Sequence, residues 1–126
     1  TDAFLKDRCA GGCFLNQGEL KGMPYEDNFF DCVIDIASSQ QNPLADIPLI
    51  FKEFHRVLKP GGFLFSMFRS DDSWMEPHIP MTLRLSGQEL SDMLSANFTV
   101  KSMELTSLTM ANRKIAIVNH IVVAQK

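Results

Sequence analysis

Two stretches decide the fold of this chain: Met23-Pro24-Tyr25-Glu26-Asp27-Asn28-Phe29-Phe30-Asp31-Cys32-Val33-Ile34-Asp35 and, further along, Phe54-His55-Arg56-Val57-Leu58-Lys59-Pro60-Gly61-Gly62. Residues 29–37 are almost continuously apolar, interrupted only by Asp31 and Asp35. Such a run is typical of a strand that a parallel sheet buries on both faces. We therefore predict a central strand here.

The residues after this strand predict a helix and then a second strand. Helix-start signals stand at Asn42-Pro43 and at 46–48, and four apolar residues recur with helical spacing on one face: Ile50, Phe54, Val57 and Leu58. The turn sequence Lys59-Pro60-Gly61-Gly62 ends the helix, and residues 63–68 are apolar again. Strand, helix and strand in this order predict a parallel crossover and α/β architecture.

The second half of the chain predicts a long connection, a capped helix and a hairpin. Residues 69–85 lack clear periodicity, and a connection of that length is usually a binding loop or lid. Ser86 and Glu89 form a capping box, with Leu85 and Leu90 placed as a hydrophobic staple. Leu90, Met93 and Leu94 make the buried face of this helix. Residues 98–108 and 115–124 predict an antiparallel hairpin at the end of the chain.

The beginning of the chain carries weaker signals. Residues 1–8 have helical periodicity, Gly11-Gly12 ends that pattern, and residues 13–16 are a short strand candidate. A loop follows from Gly18 to Asn28.

Composition predicts one soluble domain over residues 1–126. The chain is 45% hydrophobic and 21% charged, with a formal net charge of −3. Its cations are scattered singly, so nucleic-acid tracking is not indicated. No apolar run approaches the roughly 20 residues that a membrane span needs, so a membrane is not indicated either. The three cysteines (Cys9, Cys13 and Cys32) match no zinc spacing and no secretory signal precedes them, which predicts a reducing, cytoplasmic setting. Cys32, inside the apolar run, is predicted to be a small buried hydrophobe.

Three local patterns then coincide along the chain: Gly18-Glu19 ahead of Met23-Pro24, Phe30-Asp31-Cys32-Val33-Ile34, and Glu53 through Gly62. Together they resemble the second half of a class I S-adenosylmethionine-dependent methyltransferase of the small-molecule type. The resemblance covers essentially the whole chain. It implies an α/β, partial Rossmann-like fold, a mostly parallel sheet with a C-terminal antiparallel hairpin, in which the chain forms the C-terminal part of one domain.

The resemblance also implies where the cofactor, S-adenosylmethionine, is bound in the complete domain. Glu19 and the backbone of Leu20 would lie against adenine, although aspartate is the usual family residue at the first position. Asp35 and Ile36 would line the methionine side, because ligands bind beyond the carboxyl ends of parallel strands. The family's glycine-rich turn has no counterpart here, since Gly11-Gly12 follows a helical pattern and lacks G-x-G spacing. The chain alone should therefore bind cofactor weakly.

Methyl transfer from a sulfonium is an in-line displacement in which positioning supplies much of the rate. Where the acceptor needs a base, His78 and Asp71, or Asp72 in its place, are the titratable candidates in the long connection. A solvent-exposed loop residue is the alternative for His78. Asp71-Asp72 has no third ligand at recognisable spacing, so no metal site is predicted.

Three residues carry a structural alternative to a functional role. Phe29 and Phe30 are candidates for stacking on a ring, but core positions are the favoured interpretation. Arg56 is interpreted as a structural tie between its helix and neighbouring loops.

Three functional hypotheses follow. The first is a methyltransferase, or part of one, that acts on a small-molecule acceptor. The second is a noncatalytic methyltransferase-like subunit or oligomerisation module, which would pair with a second copy or with a complementing N-terminal segment. The third is an unrelated α/β binding domain that only mimics the motif.

Overall fold

The computed structural model describes residues 16–74, 82–110 and 115–126. Within them the strands are β1 (Phe30–Ile36), β2 (Leu58–Arg69), β3 (Thr99–Met110) and β4 (Ile115–Gln125), and the helices are α1 (Ile47–Val57) and α2 (Gly87–Ser95). Short 3-10 turns at Ser39–Gln41 and Leu44–Asp46 lead from β1 to α1. The helix predicted for residues 1–8, the Gly11-Gly12 stop and most of the 13–16 strand candidate lie outside the described residues.

The four described strands form one sheet in the order β1-β2-β4-β3. β1 runs parallel to β2, with Val33 opposite Leu64 and Asp35 opposite Ser66. β4 is antiparallel to both β2 and β3. The strand–helix–strand unit, the terminal hairpin and the α/β class are thereby confirmed.

Both helices bury their apolar faces in a single core against the sheet. All four residues of the predicted α1 face are buried, and the sheet meets them with alternate residues of β2 and β4: Leu64, Phe68, Val122 and Ala124. α2 contributes Leu90 and Leu94, both buried, while Met93 packs partly buried against the same cluster. Each such side chain contributes roughly 1.5–3 kcal/mol of burial free energy.

The prediction that β1 is buried on both faces is wrong for the described residues. Ile34 is 68% exposed and Ile36 56% exposed, and neighbouring Phe63 on β2 is 42% exposed. Cys32, predicted to be buried, is an exposed free thiol. β1 is an edge strand of the described sheet. The core covers only the sheet face that carries Leu64 and Phe68, so the residues of β1 that point to the other face are exposed to solvent.

The turn predicted to end the helix, Lys59-Pro60-Gly61-Gly62, is in the structure the irregular start of β2. α1 ends at Val57, and Leu58 already pairs with Phe30 before the register shifts. Gly61 adopts a φ of +80°, which favours glycine. A Cβ on Gly62 would stand 2.9 Å from the Lys59 carbonyl and 3.0 Å from the Asp31 carbonyl, so only glycine fits between the two strands.

The capping box at the start of α2 is confirmed. The Glu89 N–H donates to Ser86 Oγ at 3.2 Å, and the Ser86 N–H donates to Glu89 Oε2 at 2.8 Å. This bonding lowers the pKa of Glu89. Leu85 and Leu90, the predicted staple, are both buried in the core.

Replacing Ser86 with alanine removes the acceptor for the Glu89 N–H and should lower the free energy of unfolding by about 1 kcal/mol. Urea unfolding followed by circular dichroism measures this loss. Ser95→Ala, at the exposed other end of α2, is the matched control and should change stability little. Equal effects of the two substitutions would contradict the role of the cap.

Candidate functional site

Glu53 and Arg56 lie one turn apart on α1 and form a two-point ion pair. Arg56 Nε donates to Glu53 Oε2 at 2.9 Å, and Arg56 Nη2 donates to Glu53 Oε1 at 2.6 Å. Paired bonds of this kind fix both side chains in direction as well as in distance. The arginine holds the pKa of Glu53 below its usual range, and Glu53 with Asp27 raises that of Arg56.

This pair holds the loop that precedes β1. Arg56 donates to the carbonyls of Met23 and Tyr25 at 3.1 and 2.8 Å, and to the Asp27 carboxylate at 2.8 Å. Glu53 accepts from the Met23 N–H at 2.9 Å. The interpretation of Arg56 as a structural tie agrees with this geometry. We call Glu53, Arg56 and their bonds to residues 23–27 the loop clamp.

The clamped loop forms one wall of a small cavity of about 160 Å³. Residues 16–20 and 23–25 line it, and they include both Glu19 and Leu20. The Glu19 side chain is 77% exposed and stands 3.7 Å from the Lys21 ammonium. Asn16 Nδ2 donates to the Tyr25 hydroxyl at 2.8 Å, which joins the two segments of the wall.

The path of the loop places the Glu19 and Leu20 side of this cavity near the end of α1 where the helix begins. Lys21 binds Asp46, just before α1, at 3.2 Å, whereas Asp27 meets Arg56 in the last turn of α1. Residues 21–27 therefore run along the helix, and Glu19 and Leu20 lie near its start. Because α1 returns the chain from the end of β1, the carboxyl end of β1 is at this same end of the molecule.

Asp35 stands near that carboxyl end, but its carboxylate is bonded within the protein. It is 2% exposed and accepts from the Ser39 N–H at 3.0 Å, from the Ser39 hydroxyl and from Ser66 Oγ at 2.9 Å. These bonds hold the turn that follows β1. The Ile36 side chain points to the opposite, exposed face of the sheet. Ser39 and Ser66, missed from the sequence, carry this arrangement.

The turn after β1 also holds a strained residue. Ala37 has a φ of +55°, in the left-handed region, and its N–H donates to the Met67 carbonyl at 3.2 Å. A non-glycine residue persists there only where its surroundings hold it. The Asp35 bonds to Ser39, two residues on, supply that hold.

Asp71 lies in the turn after β2, at the carboxyl end of the same parallel pair. It is exposed, its N–H donates to the Leu85 carbonyl at 3.2 Å, and its carboxylate accepts weakly from Ser70 Oγ at 3.4 Å. His78 lies outside the described residues. The structure thus brings Glu19, Leu20, Asp35 and Asp71 to one end of the sheet.

Phe29, the residue just before β1, is not a core residue. Phe29 is 54% exposed, whereas Phe30 packs partly buried against the core. The Tyr25 ring stands edge-on to Phe30 with 4.9 Å between centroids. The core prediction is wrong for Phe29 because it precedes β1 and stacks on Tyr25 at the surface.

A larger crevice of about 570 Å³ lies beside α1, between the clamped loop and the end of β4. Its cations are largely engaged within the protein. The Lys126 ammonium donates to Asn28 Oδ1, to the His55 carbonyl and to the Leu58 carbonyl at 2.8–2.9 Å. Burial and the charge of Lys126 lower the pKa of His55 there. The crevice consequently presents little free charge to a ligand.

Two negative findings apply to residues 16–74, 82–110 and 115–126. In these ranges no three acidic, histidine or cysteine side chains gather to hold a metal ion. Nor does a helix in them have the length and apolarity to cross a membrane.

Comparison with known proteins links this geometry to a family. Residues 4–66 match the model of a methyltransferase domain. A probable phthiotriol/phenolphthiotriol dimycocerosates methyltransferase 2 of Mycobacterium ulcerans is 38% identical over 47 residues, which are 37% of this chain and 17% of that protein.

Solved structures share the fold. A putative methyltransferase from Bacillus halodurans superposes with a TM-score of 0.74 at 14% identity, over 98% of this chain and 76% of that one. A Burkholderia thailandensis 1,6-didemethyltoxoflavin-N1-methyltransferase, solved with bound 1,6-didemethyltoxoflavin and S-adenosylhomocysteine, gives a TM-score of 0.65 at 14% identity, over 85% of this chain. This chain spans 48% of the Burkholderia enzyme and 17% of the mycobacterial protein.

Because of the loop clamp, the free energy of unfolding should decrease at acidic pH. The pKa of Glu53 is lower in the folded chain than its ordinary value of 4.5, so the clamp stabilises the fold above that value and is lost as pH falls through the folded pKa. Glu53→Gln should lower the urea midpoint at neutral pH and flatten its decline between pH 5 and pH 3. Glu104→Gln, on exposed β3, is the control and should follow the wild type. Parallel curves for both variants would contradict the clamp.

Proposed function

This chain belongs to the class I S-adenosylmethionine-dependent methyltransferase family, and from that premise we propose that it forms the C-terminal part of a domain that methylates a small molecule. The observation that carries the proposal is the small cavity lined by Glu19 and Leu20 and braced by the loop clamp. Residues 1–126 would act as a single unit within that domain.

The cavity is proposed as the adenine end of the cofactor site. The Glu19 carboxylate can accept a hydrogen bond from an exocyclic amino group, and the Leu20 N–H can donate to a ring nitrogen. The clamp fixes residues 23–25, so the wall opposite Glu19 and Leu20 is already in place before a ligand binds. Preorganisation of this kind reduces the entropy lost on binding.

The carboxyl end of β1 is proposed as the methionine end. Since the Asp35 carboxylate is satisfied by Ser39 and Ser66, its contribution is to hold the turn in place rather than to bind directly. Ile36 would contribute backbone at the strand terminus, where ligands of open α/β sheets bind. A glycine-rich turn would supply the main cofactor anchor in the complete domain.

Methyl transfer at this end of the sheet depends mainly on positioning the acceptor, and a base matters only where the acceptor must lose a proton. An in-line displacement at the sulfonium methyl gains most from holding the acceptor atom in line. If the acceptor must lose a proton, we propose Asp71, exposed at the same end, and His78 as the groups to test. The connection over residues 69–85 would face the acceptor.

The proposed acceptor is a small molecule. The Burkholderia structure holds bound 1,6-didemethyltoxoflavin, and the mycobacterial relative is named a probable phthiotriol/phenolphthiotriol dimycocerosates methyltransferase. The net charge of −3 gives nucleic acid no general attraction to this chain. We also infer a cytoplasmic setting, in which an exposed thiol such as Cys32 stays reduced.

Titration of the isotope-labelled chain with S-adenosylhomocysteine tests the cofactor site. Chemical shifts of residues 16–25 should change, with a dissociation constant well above the micromolar range because the given sequence contains no G-x-G turn to hold the cofactor. Glu19→Ala should weaken the response further, and Glu26→Ala, on the same loop and exposed, should not. Calorimetric affinity in the micromolar range would contradict the weak binding, and shifts confined to other residues would contradict the adenine assignment.

A second candidate function is a noncatalytic subunit or oligomerisation module. It is favoured by the exposed apolar face of β1, and by its outer edge, which no other strand of the described residues pairs with, since parallel sheets are normally covered on both faces. Its partner would be a second copy or a complementing N-terminal segment.

Sedimentation velocity separates this candidate from a monomeric chain. If copies associate through β1, Ile34→Glu should shift the chain towards monomer, while Leu105→Glu, a similarly exposed leucine on β3, should leave association unchanged. A wild-type chain that stays monomeric at high concentration would remove self-association as a function.

A further inference from the structure

Gln40 is a buried amide with one of its two polar atoms unused. It lies in the turn after β1, is 1% exposed, and accepts from the Arg69 N–H through Oε1 at 2.6 Å. Its Nε2 group has no hydrogen-bond partner among the residues the structure describes. Leaving a buried amide donor unsatisfied costs free energy, so native proteins retain such groups where a ligand, a water or a functional need accounts for them.

Thr82 supplies a second such group. Its Oγ1 is buried and likewise lacks a partner within the described ranges. Thr82 precedes Leu85, whose N–H donates to the Arg69 carbonyl at 3.0 Å. Two orphaned groups thus belong to separate segments of the chain, one before β2 and one after it.

The backbone of Arg69 brings the two segments together. The N–H and the C=O of one strand residue point to the same edge of that strand. The Arg69 N–H donates to Gln40 Oε1, and the Arg69 carbonyl accepts from the Leu85 N–H. Gln40 and Leu85 therefore flank the same edge of β2, beyond the point where β1 stops pairing with it. This edge is at the carboxyl end of the parallel pair, where ligands of α/β sheets bind.

We propose that Gln40 Nε2 and Thr82 Oγ1 anchor an oxygen atom of the methyl acceptor. The name methyl acceptor rests on the proposed function, whereas the anchor itself rests on the two unused groups. Both groups are neutral and both can donate, which suits a neutral carbonyl or hydroxyl oxygen. The acceptor would therefore be a neutral oxygen-bearing small molecule.

The position of the anchor favours the acceptor over the cofactor as its ligand. The adenine cavity lies along α1 on residues 16–25, whereas Thr82 belongs to the connection that follows β2. Asp71, the proposed base, borders the same segment through its bond to Leu85. Anchor and base would then act on one bound molecule.

Nuclear magnetic resonance of the Gln40 side-chain amide tests the anchor on the 126-residue chain itself. Acetophenone, which carries a neutral carbonyl, should shift the two Nε2–H signals of Gln40. α-Methylstyrene, in which a CH₂ group replaces that oxygen, should shift them far less. Equal shifts with both probes, no shift with acetophenone, or a response only to L-methionine would overturn the proposal. So would a long-lived water on Nε2 that acetophenone fails to displace.

Three variants separate the anchor from a purely structural role. Gln40→Glu keeps an oxygen for the Arg69 N–H but removes the donor, and it should lower acetophenone affinity at least several-fold; Gln41→Glu, exposed next to it, should not. Thr82→Val should weaken binding similarly while leaving the thermal midpoint unchanged or higher, because it removes an unsatisfied hydroxyl. A lower midpoint for Thr82→Val would overturn the claim that this hydroxyl lacks a partner.

The proposal and the methyltransferase function fail in different ways. Loss of the acetophenone response with S-adenosylhomocysteine shifts intact at residues 16–25 removes the anchor alone. An acetophenone response without any cofactor response keeps the anchor and removes the methyl acceptor as its natural ligand.

Discussion

The bidentate pair of Glu53 and Arg56 is the interaction on which the candidate site depends. Residues 16–28 form no helix or strand, so their own backbone bonds cannot fix their path. The clamp replaces those bonds with charge-assisted ones to Met23, Tyr25 and Asp27. Five buried residues hold α1 in the core, so a loop that is bonded to α1 is held in place as well.

The sheet places the remaining site residues by a simple rule of direction. Because β1 and β2 run parallel, their carboxyl ends coincide, and the turns after both strands meet at one edge. The Asp35 carboxylate holds the first of these turns, which contains Gln40, and Thr82 lies on the segment after the second. Gln40 and Thr82 each have a polar group without a partner among the described residues. The proposed cofactor wall and the proposed acceptor anchor would thus lie on separate segments.

Much of the fold was predictable because its signals are local. The apolar spacing of α1, the Ser86–Glu89 capping box and the β-branched runs of the hairpin each lie within a dozen residues. The exposure of β1 was not predictable, since an apolar run looks the same whether one face or both are covered. The partners of Asp35 were also hidden, because Ser66 lies 31 positions away and only strand register brings it close.

The site was predictable only in part for the same reason. The motif resemblance placed Glu19 and Leu20 against adenine, and both residues line a cavity, but one wall of that cavity is held by the long-range bonds of Arg56. The unused groups of Gln40 and Thr82 are properties of packing rather than of residue type. The other glutamines of the chain are the same residue type, but their side chains are not buried. No sequence pattern could therefore have distinguished Gln40 from them.

Hydrogen exchange at the Met23 amide tests the central claim most directly, because this N–H donates to Glu53 and to nothing else in the clamp. If the Glu53–Arg56 pair fixes the loop, the Met23 amide should exchange far more slowly than an open loop amide, and Arg56→Lys should remove most of that protection while the amides of β2 keep theirs. Rapid exchange at Met23 in the wild-type chain, or protection that survives Arg56→Lys unchanged, would contradict the account.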